Sequence, residues 1–270
     1  MRVSVLRFAA VFLLAAPASS WAAPYITDDT GTQGAGKWQL ELLAERTRHA
    51  RTVDAGAGPV HQLRTASTFN PVLSYGMLGN LDIALGLNRA RQRITEDGLD
   101  IQSASGAGDS TLELKWRFYE RDGLSLAIKP GLVLPSGDEN RGLGTGRLSW
   151  GVNFILTQEA EPWTFRANVA YAEARYKLPA DAQANHAHLW RASAGFGYTL
   201  RDDLRLAGEA GVRTNAARDD PFLPGRNGHF AMLGLIYSPS DRIDLDAGIR
   251  KSFSRAEIDK AFLVGATLRW

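Results

Sequence analysis

Leu112-Glu113-Leu114-Lys115-Trp116-Arg117-Phe118-Tyr119 is the stretch whose reading decides how the chain is built. Side chains of an extended strand point alternately to opposite faces. Leu112, Leu114, Trp116 and Phe118 therefore form one wholly apolar face, while Glu113, Lys115 and Arg117 charge the other. The same period of two recurs downstream. Trp150, Val152, Phe154 and Leu156 alternate with Ser149, Gly151, Asn153 and Ile155, and Trp163, Phe165, Ala167, Val169 and Tyr171 with Thr164, Arg166, Asn168 and Ala170. The chain ends the same way, with Phe262, Val264, Ala266, Leu268 and Trp270 against Leu263, Gly265, Thr267 and Arg269.

About twelve such runs can be laid along the chain, each of ~9–13 residues, the length a tilted strand needs to cross hydrocarbon. They begin near Trp38, Leu63, Leu81, Ser110, Leu124, Arg147, Trp163, His188, Leu204, His229, Arg242 and Ala261. Tight turns are expected at 76–80, 120–123, 158–162, 201–203 and 238–241. Longer polar connections fall at 50–61, 94–108, 136–146, 178–187, 215–228 and 252–260. Short and long connections alternate, as periplasmic turns and extracellular loops do; a soluble sandwich has no reason to sort them. The outward aromatics also band. Trp38, Tyr75, Phe118, Trp163, Tyr198, Tyr237 and Trp270 lie at turn ends, and Trp150, Tyr171, Trp190 and Phe262 toward loop ends. Two belts are what amphipathic rings at two membrane interfaces should give. The expected fold is all-β: a transmembrane antiparallel up-and-down β-barrel of about twelve strands, set among outer-membrane lipids and lipopolysaccharide.

The amino terminus fits export. Arg2 and Arg7 precede the apolar run Phe8 to Ala16, which is too short to span a bilayer, and Ser20 and Ala22 suit cleavage after residue 22. Residues 1–22 are thus expected to be a signal peptide, 23–36 a periplasmic segment resting at the lower rim, and 37–270 the barrel. The alternative for 23–36 is that Asp28 and Asp29 reach up into the barrel to pair with arginines such as Arg205 or Arg269. No other stretch approaches the ~20 apolar residues of a membrane helix. A mean hydropathy of −0.20 with 22% charged residues suits a wall that alternates between lipid and lumen. The chain has no cysteine, which excludes disulfides, thiolate metal sites and a cysteine nucleophile. A net charge of +2, with Lys and Arg spread along the chain, argues against nucleic acid.

With the lipid face assigned, Glu41, Arg64, Asp82, Glu113, Lys115, Arg117, Lys129, Arg166, Arg191, Arg205, Glu209, Arg213, Asp246 and Arg250 point inward, with Asn88, Asn153, Asn168, Asp244 and Arg269. Charges facing hydrocarbon would cost several kcal/mol each. Many are expected to pair, Glu113 with Lys129 among them. Two interiors fit these faces: a wet passage biased toward anionic or polarisable solutes, or a self-paired network that conducts nothing.

Chemistry-bearing residues are few, and no catalytic, cofactor or metal site is expected. His186 and His188 share one face of an extended segment but lack a third ligand. His229 falls on the lipid-facing register, where an outer-membrane lipid hydrolase would keep a Ser–His pair, yet no serine nucleophile stands near it in sequence. Asp138 and Glu139 could hold Ca²⁺ against lipopolysaccharide, although Pro135, Gly137 and Asp138 read first as a turn. The stretch Gly142 to Gly146 lacks the Lys of a phosphate loop.

Several stretches resemble an outer-membrane barrel family named for the meta-pathway of phenol degradation. They are Thr27-Asp28-Asp29-Thr30-Gly31-Thr32, Gly106 and Gly108-Asp109, Lys115-Trp116-Arg117, Lys129-Pro130-Gly131, Leu134-Pro135-Ser136-Gly137-Asp138, Gly142-Leu143-Gly144 and Pro162-Trp163, with Ser136 where the family usually has Thr. The terminal Thr267-Leu268-Arg269-Trp270 resembles the signal read by the barrel-assembly machinery, which most often ends in Phe. The family resemblance implies a transporter. The expectation is a channel passing small solutes, aromatic or otherwise hydrophobic ones among them, without energy coupling. The rival readings are a lipid-modifying hydrolase and a closed barrel serving structure or surface contacts.

Overall fold

Pairing of the first strand with the last closes the sheet on itself: Gln39 lies opposite Arg269 and Arg48 opposite Lys260. Trp38 N–H donates to the Trp270 carbonyl at 2.9 Å, and Trp270 N–H returns the bond at 3.1 Å. A closed wall is what backbone N–H and C=O groups require in lipid, where an open edge would find no partners. The structure is a computed structural model whose described residues are 26–54 and 58–270. The expected signal segment and its cleavage point lie outside the described residues.

Twelve antiparallel strands form the barrel among the described residues. They are β1 (Trp38–Asp54), β2 (Pro59–Leu78), β3 (Leu81–Gly86 continuing as Arg89–Glu96), β4 (Leu99–Ala107 continuing as Ser110–Arg121), β5 (Leu124–Leu134) and β6 (Ser149–Ala160). Then come β7 (Trp163–Glu173), β8 (His188–Arg201), β9 (Leu204–Thr214), β10 (Asn227–Ser240), β11 (Ile243–Ser252) and β12 (Lys260–Arg269). Each pairs with its chain neighbours. On one rim, two-residue turns join the strands, Asp122-Gly123 among them, where positive φ at both residues fits a tight hairpin.

Two expected loops are hairpins instead. The ladder of β1 and β2 runs on to Asp54 opposite Pro59, making strands of 17 and 20 residues. The 94–108 stretch folds back at Asp97-Gly98, again with positive φ at both. The Asp-Gly hairpin signal outweighs the polarity that suggested a loop.

β3 and β4 break side by side, at Leu87-Asn88 and Gly108-Asp109. The cause lies partly on β2. Pro71 accepts a bond from Leu87 N–H but has no N–H to return. At the break, Asn88 donates to Asn70 at 2.5 Å and its side chain fills the space a Cβ on Gly108 would need.

Candidate functional site: an occupied lumen

The residues expected in the lumen are shielded to different degrees. Glu41, Arg64, Asp82, Lys115, Lys129, Arg166, Arg191, Glu209, Asp246 and Arg250 are buried, and Glu113, Arg117, Arg205 and Arg213 half-buried. The segment before β1 fills the space between them. Gly36 N–H donates to the Gly76 carbonyl and Gly76 N–H to the Lys37 carbonyl, so the chain turns inward where β2 ends. Gly34 and Gly36 have φ of 83° and 78°, conformations that glycine adopts without strain.

From there the segment crosses the barrel. Gln33 N–H meets the Asp82 carboxylate at 3.0 Å, Thr30 N–H meets Thr157 at 3.1 Å, and the Thr30 and Ser125 hydroxyls bond. Asp28 takes Lys115 at 3.0 Å and also Lys129, while Asp29 takes Arg166 at 3.3 Å. Asn168 clamps the Asp28 backbone from both sides, accepting from its N–H at 2.7 Å and donating to its carbonyl at 2.9 Å. On the far wall Glu209 accepts from Ile26 and Thr27 N–H.

The expectation of a segment resting at the periplasmic rim is thus replaced by its alternative, with a change of partners. Arg205 and Arg269 engage Asp244 at 3.8 and 2.6 Å, so the plug's acids meet Lys115, Lys129 and Arg166. The expected Glu113–Lys129 pair does not form either: Glu113 stands opposite Gly131, and Lys129 turns to Asp28. The reason is desolvation. Lys115 and Lys129 sit on neighbouring strands, and the Asp28 carboxylate placed between them meets both buried charges.

A Cβ on Gly76 would lie 1.8 Å from the Gly34 carbonyl oxygen. Gly76→Ala is therefore expected to push the plug's entry strand off its path while leaving the ladder of β2 intact. Faster hydrogen exchange at residues 26–36, with β2 amides unchanged, is the check; equal exchange would contradict it.

Above the plug lies a cavity of about 230 Å³. Its walls include Ala66, Ala90, Thr111, Gly131, Gly151 and Ala172, and loops that fold inward roof it with Leu143, Leu223 and Ala256, all buried. Each loop is tethered by a polar residue. Asp109 accepts from Gly137 N–H at 2.9 Å, Thr145 N–H at 2.8 Å and the Thr145 hydroxyl at 3.1 Å. Arg64 forms a buried pair with Asp220, and its guanidinium covers the Phe222 ring at 5.5 Å. Arg213 binds Glu257 at 2.5 Å through two nitrogens.

The last pair sets a pH response. Burial works to raise the Glu257 carboxyl, but Arg213 beside it outweighs this and holds it below its ordinary 4.5. A lowered folded value means the tether is at full strength above the ordinary carboxylate range and is lost as pH falls through the lowered value. Pepsin cleavage beside exposed Phe253 is expected to rise steeply over that fall, and to be already high near pH 5 in Glu257→Gln. A flat profile in both proteins would contradict the tether.

The remaining candidates resolve locally. Asp138 caps Asn140 N–H, and Glu139 pairs with Lys177 at 2.6 Å. His188 Nδ1 shares a hydrogen with the Tyr171 hydroxyl at 2.7 Å, and no cluster of three metal-ligating side chains occurs among the described residues. Two serines do approach His229, which sequence distance concealed: Ser254 accepts from its backbone N–H and Ser252 donates to its carbonyl. Among the described residues no hydrogen bond joins the imidazole to either hydroxyl. The outward aromatics meet across strands, with Trp38–Tyr75 and Trp163–Tyr198 centroids 4.6 Å apart near the turns and Tyr171–Trp190 4.7 Å apart near the loops.

A family model described as "Putative MetA-pathway of phenol degradation" matches residues 22–270. Among solved structures, an outer membrane channel from Pseudomonas putida F1 superposes with a TM-score of 0.66 at 13% identity, covering 90% of this chain and 98% of that one. The NanC porin matches at 0.52 and 10% identity, over 84% and 98% of the two chains. The translocator domain of the autotransporter NalP from Neisseria meningitidis matches at 0.51 and 15%, over 89% and 91%. No curated protein matches the chain. At these identities the structural likeness establishes the fold, an outer-membrane-type barrel.

Proposed function

The chain belongs to the family named for the meta-pathway of phenol degradation, and from that premise we propose that it is a passive outer-membrane channel for small solutes, aromatic or otherwise hydrophobic ones among them. The observation that carries this reading is the cavity. It is walled mainly by small and apolar side chains, inside a barrel whose other inward surface is charged. An apolar chamber with a few polar groups is how proteins hold a small, mostly hydrophobic molecule. Among the described residues the plug lies below the chamber and the inward loops above it, so a solute enters the chamber and leaves it as those segments yield. The two aromatic bands sit at the membrane interfaces, and the strand ending at Trp270 is the part recognised during assembly.

The test is entry of naphthalene into asymmetric vesicles whose outer leaflet is lipopolysaccharide, which slows apolar solutes. Vesicles holding the barrel are expected to fill several-fold faster than empty ones. Equal rates would overturn the reading.

A further inference from the structure

The cavity's polar groups are not all accounted for. Lys129, Asn153, Ala170, Arg191 and Arg213 lie on one cross-strand row, each opposite the next. Lys129 is held by Asp28 and Arg213 by Glu257. Arg191, between them, is 9% exposed, lines the cavity, and makes no hydrogen bond or ion pair among the described residues; its Nε is buried without a partner. Two acceptors on the same cavity wall are likewise unmet, Glu113 Oε2 and Asn153 Oδ1. Glu113 belongs to the next row, whose other members, Gly131, Gly151, Ala172 and Leu189, offer it nothing.

Buried polar groups are nearly always satisfied, and a desolvated guanidinium without a partner costs stability. Here one donor group and two acceptors are left open around one apolar chamber. We propose that they are the polar half of a solute site that takes a small hydroxylated carboxylic acid with an aromatic body. Its carboxylate lies against Arg191, whose planar fork suits two parallel N–H···O bonds. Its hydroxyl donates to Glu113 or Asn153, and its ring rests under Leu143 and Leu223. The proposal rests on the channel reading and names the solute class for the same chamber.

The test is calorimetric titration of the detergent-solubilised barrel at neutral pH with 4-hydroxybenzoate, benzoate and toluene. 4-Hydroxybenzoate is expected to bind more tightly than benzoate. Arg191→Gln should weaken both acids at least 10-fold, leave toluene unchanged and raise the melting temperature, because an unpaired buried charge is gone. Replacing Glu113 and Asn153 together by alanine should abolish the hydroxyl's advantage and spare benzoate. Should Arg191→Gln not fold, Arg191→Lys keeps the charge without the fork and is expected to lose most of the acid affinity. Acids that bind equally well to parent and variants, or do not bind at all, would overturn the proposal and leave the open groups to water. Toluene binding and naphthalene entry would still stand in that case. Failure of vesicle entry would instead remove the channel reading itself.

Discussion

Exchanging Asp28 and Asp29 together for asparagine is expected to raise single-channel conductance in a planar bilayer several-fold. The side chains keep their size, and only the charge goes. Lys115, Lys129 and Arg166 are all 7% exposed or less and pair with these two carboxylates. Removing one partner of a buried pair typically costs about 3–5 kcal/mol, because the other charge is left desolvated. Expulsion of the segment lets water reach all three cations, which makes the open lumen cheaper than the occupied one. The currents should favour anions, since three cations then face the pore. Conductance equal to that of the parent, in a barrel verified by its heat-shifted gel mobility, would show that the segment's remaining hydrogen bonds, those to Asn168, Glu209, Thr157 and Asp82 among them, hold it without these charges.

Asp109→Ala should free the roof. The carboxylate meets three donors in the 136–146 loop, and a buried donor left unsatisfied costs about 1–3 kcal/mol. The chain contains no cysteine, so a single Leu143→Cys reports the roof without background. Buried Leu143 is 6% exposed. Maleimide labelling of the reporter is expected to be slow with Asp109 present and at least tenfold faster with alanine there. Equal rates would mean that Lys177, which donates its backbone N–H to the Thr145 carbonyl, holds the loop in place of Asp109.

The barrel was legible because alternation is a local property. Leu112 to Phe118 state their faces without reference to any other part of the chain, and the two-residue turns follow from Asp-Gly and its kin. The contents of the barrel were not legible, because they depend on which of many cations an acid reaches. Asp28 and Asp29 could be seen as candidates for the lumen, but the choice of Lys115 and Lys129 over Arg205 and Arg269 is set by strand height and by the competing claim of Asp244. The roof left a weaker trace. Phe222 and Leu223, set between Pro221 and Pro224 in a polar connection, are buried hydrophobics at 6% and 2% exposure. An apolar pair isolated in a long outer loop is a signal that the loop turns inward. The breaks in β3 and β4 had one too, in Pro71, since proline in mid-strand withholds a donor from the neighbouring ladder.

The plug also has a consequence for how the molecule comes into being. The partners that Ile26 to Thr30 reach with backbone amides on other strands stand 127 to 183 positions further along the chain. Contacts that distant are slow to form, because the intervening loop must close before they repay its entropy. The amides of Ile26, Thr27, Asp28 and Thr30 therefore have no partner until β6, β7 and β9 stand. By this argument the segment is among the last parts to order, and the barrel is expected to pass through an unoccupied form on its way to the finished one.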